Sequence, residues 1–163
     1  MKYATVTIVM FALVVCMGCD ETGGIVQTKI AAPGFSLATM DNKPFILDRQ
    51  QGRDVVMVFW ATWCGWCKKQ MVELEDLNNS LADNNVSCAL VLSDTENLEE
   101  ARRITESLNL ESPILLDCGS EVTEEYRVKG FPTTVVVNAE GNVVYYKAGY
   151  SPDIVQEVRS LLE

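Results

Sequence analysis

The sequence predicts one α/β domain in which a central mixed β-sheet is flanked by helices. Three observations predict it. In the middle of the chain, short apolar runs alternate with helical periodicity, as a parallel βαβ unit requires. Two further pairs of strands, one near each end, flank turn signals. The length of 163 residues suits one domain and a short leader.

The first predicted elements are a hairpin, a buried strand and a helix. Residues 35–37 and 45–47 pair around Asp41 and Asn42. The apolar run of residues 55–60 is a buried strand, and Trp60 is expected in the core. The next helix has an apolar stripe in steps of three and four, made of Cys67, Met71, Leu74, Leu77 and Leu81.

Strand and helix signals then alternate to the end of the chain. Val86–Leu92 is a strand, and Ser93 with Glu96 forms a capping box for the next helix. The apolar positions of that helix are Leu98, Ala101, Ile104 and Leu108. The next elements are a strand at 113–117, a helix at 121–128 that Gly130 ends, and a hairpin of 133–137 with 143–147. Ser151 and Pro152 begin a last helix, which buries Ile154, Val158 and Leu161.

Two cysteines, Cys64 and Cys67, lie where the strand of residues 55–60 meets the following helix. An unperturbed cysteine has a pKa of about 8.5, and the amides and dipole of a helix N-terminus stabilise its thiolate. Cys64 is therefore the predicted nucleophile, and Cys67, on the core-facing stripe, the resolving thiol. A disulfide between Cys64 and Cys67 would stabilise the fold by only roughly 2 kcal/mol, whereas one that closes a loop of about a hundred residues gives nearly 5 kcal/mol. Such a bond contributes little to stability and therefore suits exchange chemistry.

The segments 32–37, 59–68 and 130–134 together resemble the thioredoxin superfamily, and more closely its membrane-anchored, TlpA/ResA-like thiol:disulfide oxidoreductases. The resemblance implies a thioredoxin-like fold with an N-terminal hairpin extension and an activity on protein disulfides. It also implies a cis peptide bond at Pro132 that faces the cysteine pair, where neighbouring backbone pairs with the substrate chain. The redox-active disulfide is then the working group, and no metal or organic cofactor is expected.

Several side chains around the pair are predicted to contribute. Substrate contact is assigned to Trp63, Trp66, Phe131, Pro132 and Thr133, and a supporting role to Lys68 and Gln70. The chain departs from the family pattern at Val58, where thioredoxin has a buried Asp, and at Gln70, where many members have Glu. Both positions therefore lack the carboxylate that helps to deprotonate the resolving cysteine. Trp66 also stands where proline is common, and Phe131 is bulky for its position.

Composition excludes other function classes. The chain has no histidine, which argues against Ser–His and Cys–His hydrolases. Its formal net charge of -10 argues against nucleic-acid binding.

The N-terminus predicts export. Residues 1–18 read as a secretory signal, and Gly18 before Cys19 resembles a lipoprotein processing site that leaves Cys19 lipidated. The alternatives are a plain cleaved signal and a short uncleaved anchor. Residues 19–32 are assigned to a tether and residues 33–163 to the domain. We expect a monomer at the periplasmic face of a bacterial membrane, and Asp20 favours the inner membrane. A membrane thiol-disulfide protein is the expected electron donor.

Some alternatives stay open. Cys88 is expected to be an inert core residue, and Cys118 a bystander, a partner of Cys88 or a third redox thiol. The favoured activity is reduction of protein disulfides, which in the family often serves cytochrome c maturation. The alternatives are a disulfide oxidase or isomerase, and a module without enzymatic activity that binds a soft metal such as Cu(I) through Cys64, Cys67 and Met71.

Overall fold

A computed structural model describes the backbone of residues 24–81 and 85–162, with side chains from Ile30 onward. The predicted signal at residues 1–18 and the predicted lipidation site Cys19 lie outside these residues and stay predictions. In the described part of the chain, no helix has the length and apolar character needed to cross a membrane.

The domain is built on one sheet of eight strands in the order β1-β8-β7-β4-β5-β6-β2-β3. The strands are β1 (Gly24–Ala31), β2 (Ser36–Thr39), β3 (Pro44–Ile46), β4 (Asp54–Trp60), β5 (Val86–Leu92), β6 (Ile114–Leu116), β7 (Thr133–Val137) and β8 (Asn142–Ala148). The helices are α1 (Gly65–Ser80), α2 (Leu98–Ser107), α3 (Glu121–Glu125) and α4 (Ile154–Leu162). The predicted mixed sheet with flanking helices is confirmed.

The centre of the sheet is parallel and its sides are antiparallel. Strand β4 pairs with β5 and β5 with β6 in parallel, so α1 and α2 are the crossover helices. Both predicted hairpins form, β2 with β3 and β7 with β8. Because β4 and β5 are parallel, their carboxyl ends lie side by side, and the Ser93 amide donates to the Trp60 carbonyl oxygen there at 3.1 Å. The cysteine pair follows β4 at this edge.

Strand β1 was not predicted. It lies within residues 19–32, which the sequence assigns to a tether, and pairs antiparallel with β8 from Gly24 with Tyr146 to Ala31 with Asn142. Ile30, near the end of the strand, is 53% exposed. Its partner is more than a hundred residues away along the chain, and only the folded sheet edge reveals the pairing.

Each face of the sheet carries its own apolar cluster. Helices α1, α2 and α4 cover one face, and all five residues of the predicted α1 stripe are buried there, including the two fully buried residues Cys67 and Met71. The β2–β3 hairpin and α3 cover the other face through Phe35, Phe45 and Val122. Trp60 is fully buried, which confirms its predicted place in the core.

Three local predictions were wrong. The capping box of Ser93 and Glu96 does not form, since the Ser93 hydroxyl bonds to that of Thr123 and a short 3-10 turn precedes α2. Leu98, expected on the apolar face of α2, is 40% exposed. Helix α3 ends at Glu125, before Gly130, because Arg127 has the left-handed φ of 53° and turns the chain.

Truncating the centre of the α1 stripe is expected to destabilise the domain. Leu74 is 1% exposed, so Leu74→Ala should lower the free energy of unfolding by about 2–5 kcal/mol through lost burial and the cavity it leaves. Urea denaturation measures the change. Asn79→Ala, an exposed change on the same helix, should stay within about 0.5 kcal/mol of wild type. Equal midpoints for the two variants would contradict the packing described here.

Candidate redox centre

Cys64 and Cys67 form a disulfide at the start of α1, with an S–S distance of 2.06 Å. Strand β4 ends at Trp60, and the Cys64 amide donates to the Ala61 carbonyl oxygen at 3.0 Å, which closes a turn of residues 61–64. Helix α1 begins at the next residue, Gly65. The strand and the turn together place the first sulfur at the helix N-terminus.

The two cysteines occupy unequal environments. Cys64 is the N-cap of α1, and its Sγ accepts a hydrogen bond from the Cys67 amide at 3.1 Å. Cys64 is 5% exposed, whereas Cys67 is fully buried. The first turn of α1 contains no acidic residue, so nothing on the helix itself offsets the positive end of its dipole beside Cys64. The arrangement suits a reactive first thiol and a shielded second one.

Neutral side chains lie at the two positions where family members carry carboxylates. Val58 and Gln70 are both fully buried, and Val58 pairs with Thr134 across the sheet. The Gln70 amide donates to the Thr134 hydroxyl oxygen at 2.6 Å. Among the described residues, Gln70 Oε1 has no hydrogen-bond partner. Position 70 can therefore donate or accept a hydrogen bond, but it cannot act as a base.

Four aromatic residues form a surface around the disulfide, called here the aromatic rim. Trp63 meets Phe131 edge to face, with ring centroids 5.8 Å apart, and Trp66 stacks on Tyr150 at 4.9 Å. Trp63 is 71% exposed and Trp66 is 61% exposed. The rim joins three separate segments of the chain and leaves two indole rings open to a partner.

Tyr150 is the member of the rim that sequence analysis missed. Its hydroxyl donates to Glu73 Oε1 at 3.1 Å, and the Lys69 ammonium lies 4.8 Å from its ring centroid. Gly149, with the left-handed φ of 84° that favours glycine, donates its amide to the Pro132 carbonyl oxygen at 2.7 Å. Counting outward from the turn of the predicted hairpin places residue 148 beside residue 132, and the register shift between Val136 and Val137 moves the pairing by one residue, so that Gly149 meets Pro132.

The segment before β7 lies against the rim. The Phe131–Pro132 peptide bond is cis, as the family resemblance implies, and Phe131 contacts Trp63. Thr133 is fully buried, and its hydroxyl donates to the Gly130 carbonyl oxygen at 2.8 Å. Thr133 also pairs with Phe59 on one side and Ala148 on the other, and the predicted substrate contact at this residue stays a prediction. Lys68, the other predicted supporting residue, is half-buried one position after Cys67.

The turn that carries Cys64 is also held from β5. Asp94, two residues after the end of β5, accepts the Thr62 amide at 3.0 and 3.1 Å through its two carboxylate oxygens. The Thr62 hydroxyl donates to the same carboxylate. Sequence analysis gave neither residue a role: Thr62 lies in the segment 59–68 that carries the family resemblance, and Asp94 lies outside the three such segments.

Cys88 and Cys118 are both free cysteines in different surroundings. Cys88 is buried, and this burial raises the pKa of its thiol to about 12. Cys118 is exposed. Within the described residues, no group of three or more His, Cys, Asp or Glu side chains is placed to hold a metal ion.

Comparison with known proteins places the chain among thiol-disulfide oxidoreductases. The profile of the Redoxin family matches residues 27–162. The thioredoxin-like protein YneN of Bacillus subtilis is 32% identical over 117 residues, which cover 71% of this chain and 68% of YneN. The thiol-disulfide oxidoreductase ResA of Oceanobacillus iheyensis is 31% identical over 142 residues, 85% of this chain and 72% of ResA.

A solved structure has the same fold. The thioredoxin domain of a thiol-disulfide oxidoreductase from Bacteroides vulgatus superposes with a TM-score of 0.74. The match covers 85% of this chain and 99% of that domain at 24% sequence identity.

The two free cysteines are expected to differ in reactivity. In the oxidised folded protein at pH 8, iodoacetamide should alkylate Cys118 and leave Cys88 unmodified, because only thiolates react and burial keeps Cys88 protonated. Peptide mass spectrometry after proteolysis identifies the modified sites. Unfolding in urea before alkylation is the control and should label both. Rapid labelling of Cys88 in the native protein would contradict its buried position.

Proposed function

Because the chain belongs to the Redoxin family and is a ResA-like thiol-disulfide oxidoreductase, we propose that it reduces disulfide bonds of other proteins outside the cytoplasm. Cys64 is the nucleophile and Cys67 the resolving thiol. The observation that carries the proposal is the unequal placement of the pair. The Cys64 sulfur accepts an amide hydrogen bond at the N-terminus of α1, whereas Cys67 is fully buried.

The reaction has two exchange steps. The Cys64 thiolate attacks one sulfur of a substrate disulfide, whose other sulfur leaves as a thiolate and takes up a proton. Cys67 then attacks Cys64 in the mixed disulfide and releases the second substrate sulfur. Two electrons and two protons pass from the cysteine pair to the substrate, and the Cys64–Cys67 disulfide remains.

The second step proceeds without a carboxylate at either family position. Val58 carries no titratable group, and the Gln70 amide accepts no proton near neutral pH. The proton of Cys67 therefore has to reach solvent or the departing substrate thiolate. Gln70, anchored to Thr134, contributes hydrogen bonding to this buried layer rather than proton transfer.

The aromatic rim supports a protein as the substrate. Exposed tryptophan and tyrosine side chains are strong anchors at protein interfaces. Trp63 directly precedes Cys64 and Trp66 directly precedes Cys67, and their exposed rings can hold the apolar residues of an extended chain. Phe131, which is half-buried, extends this surface beside Trp63, and Pro132 and Thr133 lie buried behind it.

The proposed location follows from the predicted leader. We propose that residues 1–18 direct export and that a lipid on Cys19 holds a monomeric domain at the periplasmic face of the inner membrane. In a compartment kept oxidising, a reductant has to be regenerated. A membrane thiol-disulfide protein would return two electrons to the Cys64–Cys67 disulfide, which serves as the redox group without a metal or organic cofactor.

Single cysteine variants test the assigned roles. With insulin as the protein disulfide, reduced Cys67→Ser should form a mixed disulfide that persists, because no second thiol resolves it. Cys64→Ser, made like the Cys67→Ser variant in a Cys118→Ser background because Cys118 is exposed, should form none, since the thiols of Cys67 and Cys88 are both buried. Non-reducing electrophoresis with and without dithiothreitol measures the adduct. Cys118→Ser is the matched control and should turn over insulin at the wild-type rate. A stable adduct of Cys64→Ser would reverse the two roles.

Removing a ring of the rim is expected to affect large substrates selectively. Trp66→Ala should lower kcat/KM for insulin reduction by about tenfold, the size typical of an aromatic anchor. Reduction of a small aromatic-free disulfide such as hydroxyethyl disulfide should change by less than about twofold. Tyr150→Phe is the control, because it keeps the stacked ring on Trp66 and loses only the hydroxyl bond to Glu73. An equal loss on both substrates would contradict a docking role.

A further inference from the structure

Asp94 makes the most extensive side-chain contact with the turn that presents Cys64. Its two carboxylate oxygens accept the Thr62 amide at 3.0 and 3.1 Å, and one of them also accepts the Thr62 hydroxyl. The Asn97 amide donates to the same carboxylate at 3.3 Å. Both Asp94 and Thr62 are buried, so water competes little for these bonds.

These bonds fix the middle of the turn, while backbone bonds fix its ends. The Ser93 amide binds the Trp60 carbonyl oxygen at the first end, and the Cys64 amide binds the Ala61 carbonyl oxygen at the second. Thr62 lies between them, and Trp63 of the aromatic rim follows it. The carboxylate thus sets the position of a substrate-contacting ring and of the reactive cysteine together.

The restraint matters differently in the two redox forms. In the oxidised form the Cys64–Cys67 bond itself ties the turn to the first turn of α1. In the dithiol and in the mixed disulfide this covalent tie is absent, so the turn then depends on non-covalent contacts such as its bonds to Asp94 and to the backbone. We propose that Asp94, acting through Thr62, is a positioning residue that keeps Cys64 in place when the disulfide is open, an inference that rests on the proposed function.

A positioning role for Asp94 predicts in which direction a variant shifts the equilibrium between the dithiol and the disulfide of Cys64 and Cys67. A contact that stabilises the open form more than the bridged form makes the disulfide easier to reduce. Loss of the Thr62 hydroxyl bond should therefore shift the equilibrium toward the disulfide. Removing the Asp94 charge also acts on the Cys64 thiolate with the opposite sign, because a nearby negative charge disfavours a thiolate. Thr62→Val is the cleaner variant, since it keeps the carboxylate and removes one donor.

The test equilibrates the full chain with reduced and oxidised glutathione. The cysteine pair passes two electrons and two protons to one oxidised glutathione, which gives the protein disulfide and two reduced glutathione molecules. Alkylation followed by peptide mass spectrometry measures the dithiol and disulfide fractions of Cys64 and Cys67. Thr62→Val should shift the equilibrium constant about tenfold toward the protein disulfide, which corresponds to about 30 mV. Thr62→Ser, which keeps the hydroxyl, should remain within about twofold of wild type.

A double-mutant cycle assigns the effect to the pair. In an Asp94→Ala background the hydroxyl has lost its acceptor, so Thr62→Val should cause no further shift beyond about twofold. Thermal unfolding gives a second readout, in which Thr62→Val should lower the Tm of the dithiol form more than that of the disulfide form. A purely structural bond would lower both equally. The Thr62→Val and Thr62→Ser comparison stands even if Asp94→Ala fails to fold.

The outcomes separate the two claims. If wild type interconverts with glutathione and Thr62→Val has the wild-type equilibrium constant, the positioning role of Asp94 is overturned and the proposed function stands. If the wild-type pair does not interconvert at all, the proposed function fails, and this inference fails with it.

Discussion

The hydrogen bond from the Cys67 amide to the Cys64 sulfur is the interaction on which the rest of the site depends. It exists because β4 ends at Trp60 and α1 begins at Gly65, so a four-residue turn delivers the sulfur to unpaired amides of a helix N-terminus. The same helix geometry places Cys67 one turn deeper, on the face that packs against the sheet. One local junction therefore creates both an activated sulfur and a shielded one.

Around this junction the protein combines neutral side chains at positions 58 and 70 with an aromatic exterior. Val58 and the Gln70–Thr134 pair form the buried layer near the cysteines, which contributes no carboxylate. The rim outside is assembled from the turn before α1, the segment before β7 and the segment after β8. Asp94 connects the outer surface to the centre of the sheet through Thr62. Reactivity, docking and position thus come from different segments that meet at one sheet edge.

The sequence predicted what depends on neighbours along the chain. The run before Cys64, the apolar stripe of α1 and the hairpin around residues 140–142 have local periods, and all three form. It missed β1, Tyr150 and Asp94, whose roles depend on partners far away in sequence. Ser93 and Glu96 had the spacing of a capping box, yet Ser93 found a partner in Thr123 and the neighbouring Asp94 bonded to Thr62. Tertiary contacts thus displaced a local signal, and the register shift within the β7–β8 hairpin kept the position of Tyr150 out of reach of the sequence pattern.

The most direct test of the account is the pH dependence of alkylation in the reduced protein, followed separately at Cys64 and Cys67 by peptide mass spectrometry. The helix N-terminus should make Cys64 react with an apparent pKa below the value of about 8.5 for an unperturbed cysteine. Cys67 should react many times more slowly at every pH below that value, because it is fully buried. Equal rates at the two sulfurs, or a Cys64 pKa at or above that of a free cysteine, would contradict the central claim.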